Sequence, residues 1–238
     1  MIIKKKVDNR AVLKRVAILS FASIFFIGLS YFVFLPVIIK AANTGTAVPT
    51  LSVTAEVNIT SPGTITLQNS IPGMTGNYGN PATGTATFTV TSNSVTGFTL
   101  TLSSGTDSNV LATGSYHFSD YAASGTPSYA WSSPAVGSSS FGFAIGASGT
   151  NGVDAAQAFK NNGGACNISG GTNSASFCWR GFQGTNVSPV QVINRTTASG
   201  VNGISESVVF KAEYRGGTGY YLTSGVYTAT ITATVAAQ

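Results

Sequence analysis

The chain has 238 residues, and its 12 basic and 7 acidic side chains give a net charge of +5. The basic excess lies in the first 40 residues, which hold seven Lys or Arg and one Asp, whereas the remaining 198 hold five basic and six acidic side chains. Because nucleic-acid phosphates require clustered Lys and Arg, this nearly neutral body excludes a nucleic-acid partner. One His and two Cys exclude most multi-ligand metal sites, so we expect neither a metal nor a cofactor.

The first 42 residues are typical of a segment directed to a membrane. Lys and Arg come first, and an uncharged stretch of 24 residues follows at residues 16–39. Such a stretch inserts as a helix, because hydrocarbon offers backbone amides no other partner, and its basic flank stays in the cytoplasm. Its length favours an uncleaved anchor, whereas Pro36 and the small residues from Ala41 onward favour a cleaved signal peptide. The sequence leaves these alternatives open, and both place the body outside the cytoplasm.

The body, residues 43–238, shows the period-two alternation of half-buried strands. Ala86, Phe88 and Val90 alternate with Thr, and the same pattern recurs near the C-terminus. Roughly eleven short strands, separated by Gly, Ser, Asn and Pro, are typical of a sandwich or barrel. The predicted strands are 50–60, 64–68, 83–91, 98–103, 129–132, 140–146, 175–183, 190–195, 207–215, 219–223 and 226–235.

These patterns predict an all-β protein, an antiparallel β-sandwich of Ig-like or jelly-roll-like type preceded by an N-terminal hydrophobic helix. One short helix is expected at residues 154–162, with Asp154 capping its first amides. We expect one domain with insertions rather than two. The alternation also places Glu56, Lys211 and Glu213 on outward faces, where solvated charges are the ordinary case.

An insertion rich in Gly, Ser and aromatic residues spans about 103–174. Its rings either fold back to close the ends of the sheets or form a platform for sugars, whose C–H faces pack on Trp and Tyr. In the second case, Trp131 with Tyr129, or Trp179 with Arg180, would bind the glycan.

Cys166 and Cys178 enclose a short loop rich in Gly and Asn. An exported protein meets no cytosolic reductant, so this even pair predicts a disulfide. A catalytic thiol would require an adjacent base, and His117 is the single His of the chain, 49 residues before Cys166.

Catalytic motifs are lacking in the sequence. No G-x-S-x-G elbow surrounds a Ser, and the six acids of the body are scattered, so no catalytic residue is predicted. A secreted hydrolase that uses dispersed carboxylates stays as a lesser alternative.

Outward Thr rows accompany two of the predicted strands, at residues 85–91 and 228–234. Thr is β-branched and suits strands, which accounts for the rows without a ligand. Neutral hydroxylated faces would also suit contact with cell-wall glycan or neighbouring subunits.

Three segments resemble bacterial cell-surface sandwich modules: residues 57–68 (VNITSPGTITLQ), 85–102 (TATFTVTSNSVTGFTLTL) and 224–235 (SGVYTATITATV). The last is similar to the final strands of Ig-like and WxL-type wall-associated domains and of pilus or coat subunits. The resemblance covers about a third of the body and transfers no residue-level role, and Trp131 and Trp179 lack the Leu of a Trp-x-Leu motif.

The resemblance implies a non-enzymatic surface or secreted protein with a structural, adhesive or envelope role. The expected partners are cell-wall polymer, glycan or other surface proteins. If the first 42 residues are not cleaved, the membrane is a further partner through residues 16–39. A carbohydrate-binding module is the alternative.

Overall fold

The computed structural model describes Lys14, Ser20, Ala22, Ser23 and residues 50–106, 108–121, 126–146, 151–173, 178–185 and 188–238. The chain divides into two compact units, Met1–Ser52 and Val53–Gln238. The predicted signal or anchor helix, residues 16–39, lies outside the described residues apart from Ser20, Ala22 and Ser23, which are helical. Among the residues that the structure describes, no helix combines the length and apolarity needed to cross a membrane.

The second unit consists of short and long strands with very little helix. The strands are β1 (Val57–Thr60), β2 (Ala82–Ser92), β3 (Phe98–Ser104), β4 (Ala112–Thr113), β5 (Tyr116–His117), β6 (Ser128–Tyr129), β7 (Ser138–Ile145), β8 (Cys178–Trp179), β9 (Val190–Arg195), β10 (Gly200–Arg215) and β11 (Ile231–Ala237). The helical elements are α1 (Asn151–Asp154) and a 3₁₀ turn (Gln157–Phe159).

The strands form two larger sheets, and every pairing in them is antiparallel. One has the order β1-β2-β10-β7 and the other the order β11-β3-β9. Two further pairs, β4 with β5 and β6 with β8, are also antiparallel. The predicted all-β class and antiparallel pairing are therefore confirmed.

Side chains from both larger sheets contribute to one hydrophobic core. In β10, the core face presents Val208 and Phe210, which lie opposite Ala86 and Gly84 of β2. In β3, Phe98, Leu100 and Leu102 are fully buried in the same core, as the alternation predicts. The period-two pattern thus identified the core face of β2 and of β3.

The first predicted strand is shorter than the alternation suggests. Only Val57–Thr60 pair with β2, whereas Val53 is 78% exposed. The bonds described for the preceding residues are made with Asn93, whose side chain accepts from the Glu56 amide and donates to the Thr54 carbonyl. Without a continuous ladder, alternation alone does not bury the apolar residues.

The predicted helix at residues 154–162 is a different structure. Helix α1 ends at Asp154, and the Asp154 carboxylate binds Arg195 instead of capping backbone amides. The backbone then lies along β9, where Ala155 bridges Ile193 and the Ala156 amide donates to Val192 O at 2.8 Å. Backbone pairing at the edge of the sheet therefore replaces most of the predicted helix.

The face assignment of β2 predicts opposite outcomes for two neighbouring substitutions. Phe88→Asp buries a charge in the core and is expected to abolish cooperative unfolding, because a buried unpaired carboxylate costs several kcal/mol. Thr87→Asp, on the exposed side of the same strand, is expected to leave the melting temperature nearly unchanged. Thermal unfolding followed by circular dichroism measures both, and equal damage would contradict the assignment.

Candidate functional site

Three charged residues follow one another on the face of β10 that points away from the core: Lys211, Glu213 and Arg215. The alternation predicts solvated charges there, and for Glu213 this is wrong, because its side chain is fully buried. A second layer of chain covers this face. A Cβ on Gly142 of β7 would lie 2.7 Å from Arg180 O and 2.8 Å from Tyr121 Cβ, so only glycine allows the layer so close.

Both oxygens of Glu213 have a donor from this covering layer. The Gly79 amide donates to Oε1 at 2.7 Å, and the Trp131 indole Nε1 donates to Oε2 at 2.5 Å. A buried carboxylate is tolerated when hydrogen bonds replace its hydration. Glu213 therefore ties the loop around Gly79 and the loop around Trp131 to the central strand.

Lys211 lies among the aromatic rings of the same layer. Its Nζ is 4.2 Å from the centroid of the Trp179 ring and 5.2 Å from that of the Trp131 ring, within cation–π range. Burial lowers the pKa of Lys211, and the Glu213 carboxylate opposes that shift. The rings of Trp131 and Trp179 are thus in contact with the ammonium group of Lys211.

Two of the four predicted glycan-binding residues meet in this layer. Trp131 stacks on Tyr121 at 4.2 Å and contacts Trp179 edge to face at 5.2 Å. The Trp179 side chain is only 3% exposed, so a sugar finds no open ring face there, while Trp131 is half-buried.

The other two predicted residues lie beside this cluster. Tyr129 pairs with Cys178 in the β6–β8 ladder, and Arg180 exchanges backbone bonds with Phe143. Burial lowers the pKa of Arg180. Glycan binding by these four residues stays a prediction, and their observed contacts are with the protein itself.

Cys166 and Cys178 form the predicted disulfide, with Cα atoms 5.8 Å apart. Cys178 is buried in β8, and the bridge joins that strand to the segment that follows the 3₁₀ turn. The bridge therefore fastens the layer that covers β10.

Removal of the disulfide is expected to destabilise the second unit without changing its fold. Closing a loop of this size is worth about 3 kcal/mol in the chain-entropy model. The double variant Cys166→Ser/Cys178→Ser should therefore unfold at lower urea concentration than the unaltered protein. Dithiothreitol should lower the midpoint of the unaltered protein alone, and a midpoint insensitive to reductant in both would contradict this role.

Glu206 is a carboxylate on the core face of β10. It lies opposite Phe88 of β2 and is fully buried, and neither of its oxygens has a hydrogen-bond partner among the described residues. Burial, aided by the Asp154 carboxylate and opposed by Arg195, raises the pKa of Glu206 to about 8. Burial therefore favours the neutral form of Glu206 within the core. The charges that act on it belong to the ion pair of Asp154 and Arg195, whose Oδ2 and Nη1 lie 2.6 Å apart.

This buried acid predicts a pH-dependent stability. A carboxyl whose pKa is raised by folding stabilises the folded state below its unfolded pKa of 4.5, and this contribution is lost as the pH rises toward 8. Glu206→Gln, which stays neutral, should match the unaltered protein near pH 4.5 and exceed it at pH 8 by a few kcal/mol. Urea unfolding across this range measures the difference, and Glu56→Gln, at an exposed position, is the control. Parallel pH profiles for all three proteins would contradict the assignment.

A group of large exposed side chains lies at the end of β10, and we name it the tyrosine surface. Its apolar and aromatic members have between 52% and 75% of their area exposed, and a partly buried Arg accompanies them. The members are Met74, Tyr78, Val136, Arg215, Tyr220 and Tyr221. Monomeric proteins seldom expose several such side chains together without a binding role.

Hydrogen bonds fix the loops that carry the tyrosine surface. The Asn77 amide donates to Tyr214 O at 2.9 Å, and the Asn77 side chain accepts from the Tyr214 amide at 2.8 Å. The Gly137 amide donates to Arg215 O, and the Leu222 amide donates to Gly73 O, each at 2.7 Å. Three loops are therefore held at the end of one strand.

Close backbone packing accompanies these bonds. Gly137 has a φ of +76°, and a Cβ there would lie 2.6 Å from the Tyr220 ring, so this ring rests on glycine backbone. The Arg215 guanidinium lies 4.1 Å from the centroid of the Tyr78 ring. One face of the Tyr220 ring thus packs on Gly137, and the Tyr78 ring packs on Arg215.

Sequence reasoning missed the tyrosine surface. The signal available was two glycine-rich runs that contain tyrosine, residues 73–79 (GMTGNYG) and 216–221 (GGTGYY). Strand alternation does not address such loops, and only the fold brings the two runs together.

The chain has no match among protein-family models or among curated proteins.

Proposed function

We propose that this protein is a non-enzymatic bacterial protein of the cell surface or secreted fraction, with a structural or adhesive role at the cell envelope. The observation that carries the proposal is the tyrosine surface. Large apolar side chains exposed on hydrogen-bonded loops lower solubility, so their presence indicates a binding surface. Adhesion requires an exposed binding surface whose loops are already ordered, and it involves no chemical step.

In this proposal the two larger sheets pack face to face as an Ig-like or jelly-roll-like sandwich. Support comes from the core, to which β2, β7 and β10 of one sheet and β3 and β9 of the other contribute buried side chains. Aligned sheets that share one core are the usual arrangement of surface modules.

The use of the buried carboxylates supports a non-catalytic role. Glu213 has both oxygens bonded to the protein, and Asp154 pairs with Arg195. Glu206 is fully enclosed, where a polymeric substrate could not reach it. The lesser alternative of a hydrolase with dispersed carboxylates gains no support from this arrangement, since paired acids must face a shared substrate.

An open depression of about 450 Å³ is lined by residues 161–163 and 168–172. These residues are Asn, Gly, Ser, Thr and Ile, so the depression offers hydroxyl and amide groups without an acid or a base. General acid–base catalysis requires a titratable group near the reacting atom. The depression therefore supports binding or structure better than catalysis.

The proposal includes export by residues 16–39, as cleaved signal peptide or uncleaved anchor. The charge distribution supports it, because the basic residues precede the uncharged stretch and basic residues flank the cytoplasmic end of a membrane span.

Expression of the full chain with a C-terminal tag in a bacterium tests the location. We expect the tag outside the cytoplasm: an anchored chain is degraded by protease added to intact spheroplasts, and a cleaved chain is found in the medium or in the fraction released when spheroplasts are made. Intact mass then separates the two forms of the head: all 238 residues in the membrane fraction indicate an anchor, and a loss of about 40 residues indicates a signal peptide.

Two substitutions sharpen this experiment. Phe26→Asp places a charge within the apolar stretch and should block export, whereas Asn43→Asp, beyond it, should not. Recovery of the unaltered chain in the cytosol would contradict the proposed location.

A further inference from the structure

We propose that the tyrosine surface binds a polysaccharide that carries carboxylate groups, such as a polymer of uronic acids, with sugar rings on the tyrosines and a carboxylate on Arg215. The inference rests on the proposed function, since it names the partner of a surface already assigned to adhesion. It does not involve Trp131 or Trp179, whose contacts are with the protein.

The exposed tyrosines supply the part of the site that suits a sugar ring. Tyr78, Tyr220 and Tyr221 each expose more than half of their side-chain area. The C–H face of a pyranose packs on an aromatic ring, and the phenol hydroxyl at its tip bonds sugar hydroxyls. Because Tyr220 rests on Gly137, its ring needs little ordering when a ligand binds.

Arg215 supplies the part that suits an anion. Its guanidinium lies 4.1 Å from the centroid of the Tyr78 ring and, among the described residues, has no carboxylate oxygen within 4.0 Å. A guanidinium held over a ring keeps N–H groups at its edge, and the planar fork of these groups matches a carboxylate. The guanidinium is therefore oriented before a ligand arrives.

The local charge also favours an anionic ligand over a neutral one. Lys211, Glu213 and Arg215 follow one another on the same face of β10 and sum to one positive charge. Glu213 points its oxygens at Trp131 and Gly79, so its acceptors are already occupied. Among these three residues, Arg215 is then the one that contacts an exposed tyrosine, Tyr78, and its charge is the one left uncompensated.

Polygalacturonate and its fully methyl-esterified form are matched probes, because they share a sugar backbone and differ in the carboxylate. The full chain, purified in mild detergent, is expected to bind immobilised polygalacturonate at least tenfold more tightly than the ester. Raising the salt concentration should weaken the first interaction and leave the second unchanged, since only the first contains an ion pair.

Variants then assign the contacts. Arg215→Gln should lose at least tenfold in affinity for polygalacturonate and no affinity for the ester, and Tyr221→Ala should lose at least tenfold for polygalacturonate. Tyr116→Ala, at a half-exposed tyrosine of β5 outside the tyrosine surface, should bind like the unaltered protein. Melting temperatures establish that each variant is folded, and Tyr78→Phe replaces Tyr221→Ala if the latter is unfolded, with loss of the phenol hydroxyl expected to weaken binding.

Three results would overturn the inference: no binding to polygalacturonate, equal binding to the ester, or unchanged binding by Arg215→Gln. A concentration-dependent dimer that Tyr221→Ala dissociates, without polysaccharide binding, would assign the surface to a second copy of the chain instead. None of these results moves the protein away from the cell surface, so failure here is distinguishable from failure of the proposed function.

Discussion

The structure depends on the burial of both faces of β10 along its C-terminal part, from Glu206 to Tyr214. One face of this strand packs into the core that the two larger sheets share, and the other lies under the layer that contains β6 and β8. On a strand with one solvated face, water provides hydrogen-bond partners for the outward polar side chains. On a strand that is buried on both faces, the protein itself must provide these partners. The unusual environments in this protein, Glu206, Lys211 and Glu213, all follow from that enclosure.

The two buried glutamates of β10 are accommodated in different ways. Glu213 faces the covering layer, where an indole and a backbone amide donate to it, so its acceptors are matched by donors. Glu206 faces the core, where the part of the chain that the structure describes offers its oxygens no donor, and burial favours its neutral form instead. The same residue type on one strand thus fastens a loop at position 213 and favours its neutral form at position 206.

The proposed binding role is consistent with a β10 strand that is buried from Glu206 to Tyr214 and has exposed side chains at its C-terminal end. Its enclosed length provides a rigid support, and the loops that converge at Arg215 are bonded to its backbone. Ring and guanidinium groups presented from such a support lose little conformational freedom on binding. The aromatic residues of the chain therefore separate into those that cover the sheet, such as Trp131 and Trp179, and those that remain open, such as Tyr78 and Tyr220.

The sequence by itself determined the all-β class, the antiparallel pairing, the buried faces of β2 and β3, and the disulfide of Cys166 with Cys178. These follow from local rules, since side chains alternate along any strand and an isolated cysteine pair has one partner each. The tertiary structure decided what lies outside those faces. It covered Glu213, left Val53 exposed, ended α1 at Asp154 and brought Tyr78 beside Arg215. Each of these outcomes depends on which distant segment packs against a residue, and the period of a single strand carries no information about that partner.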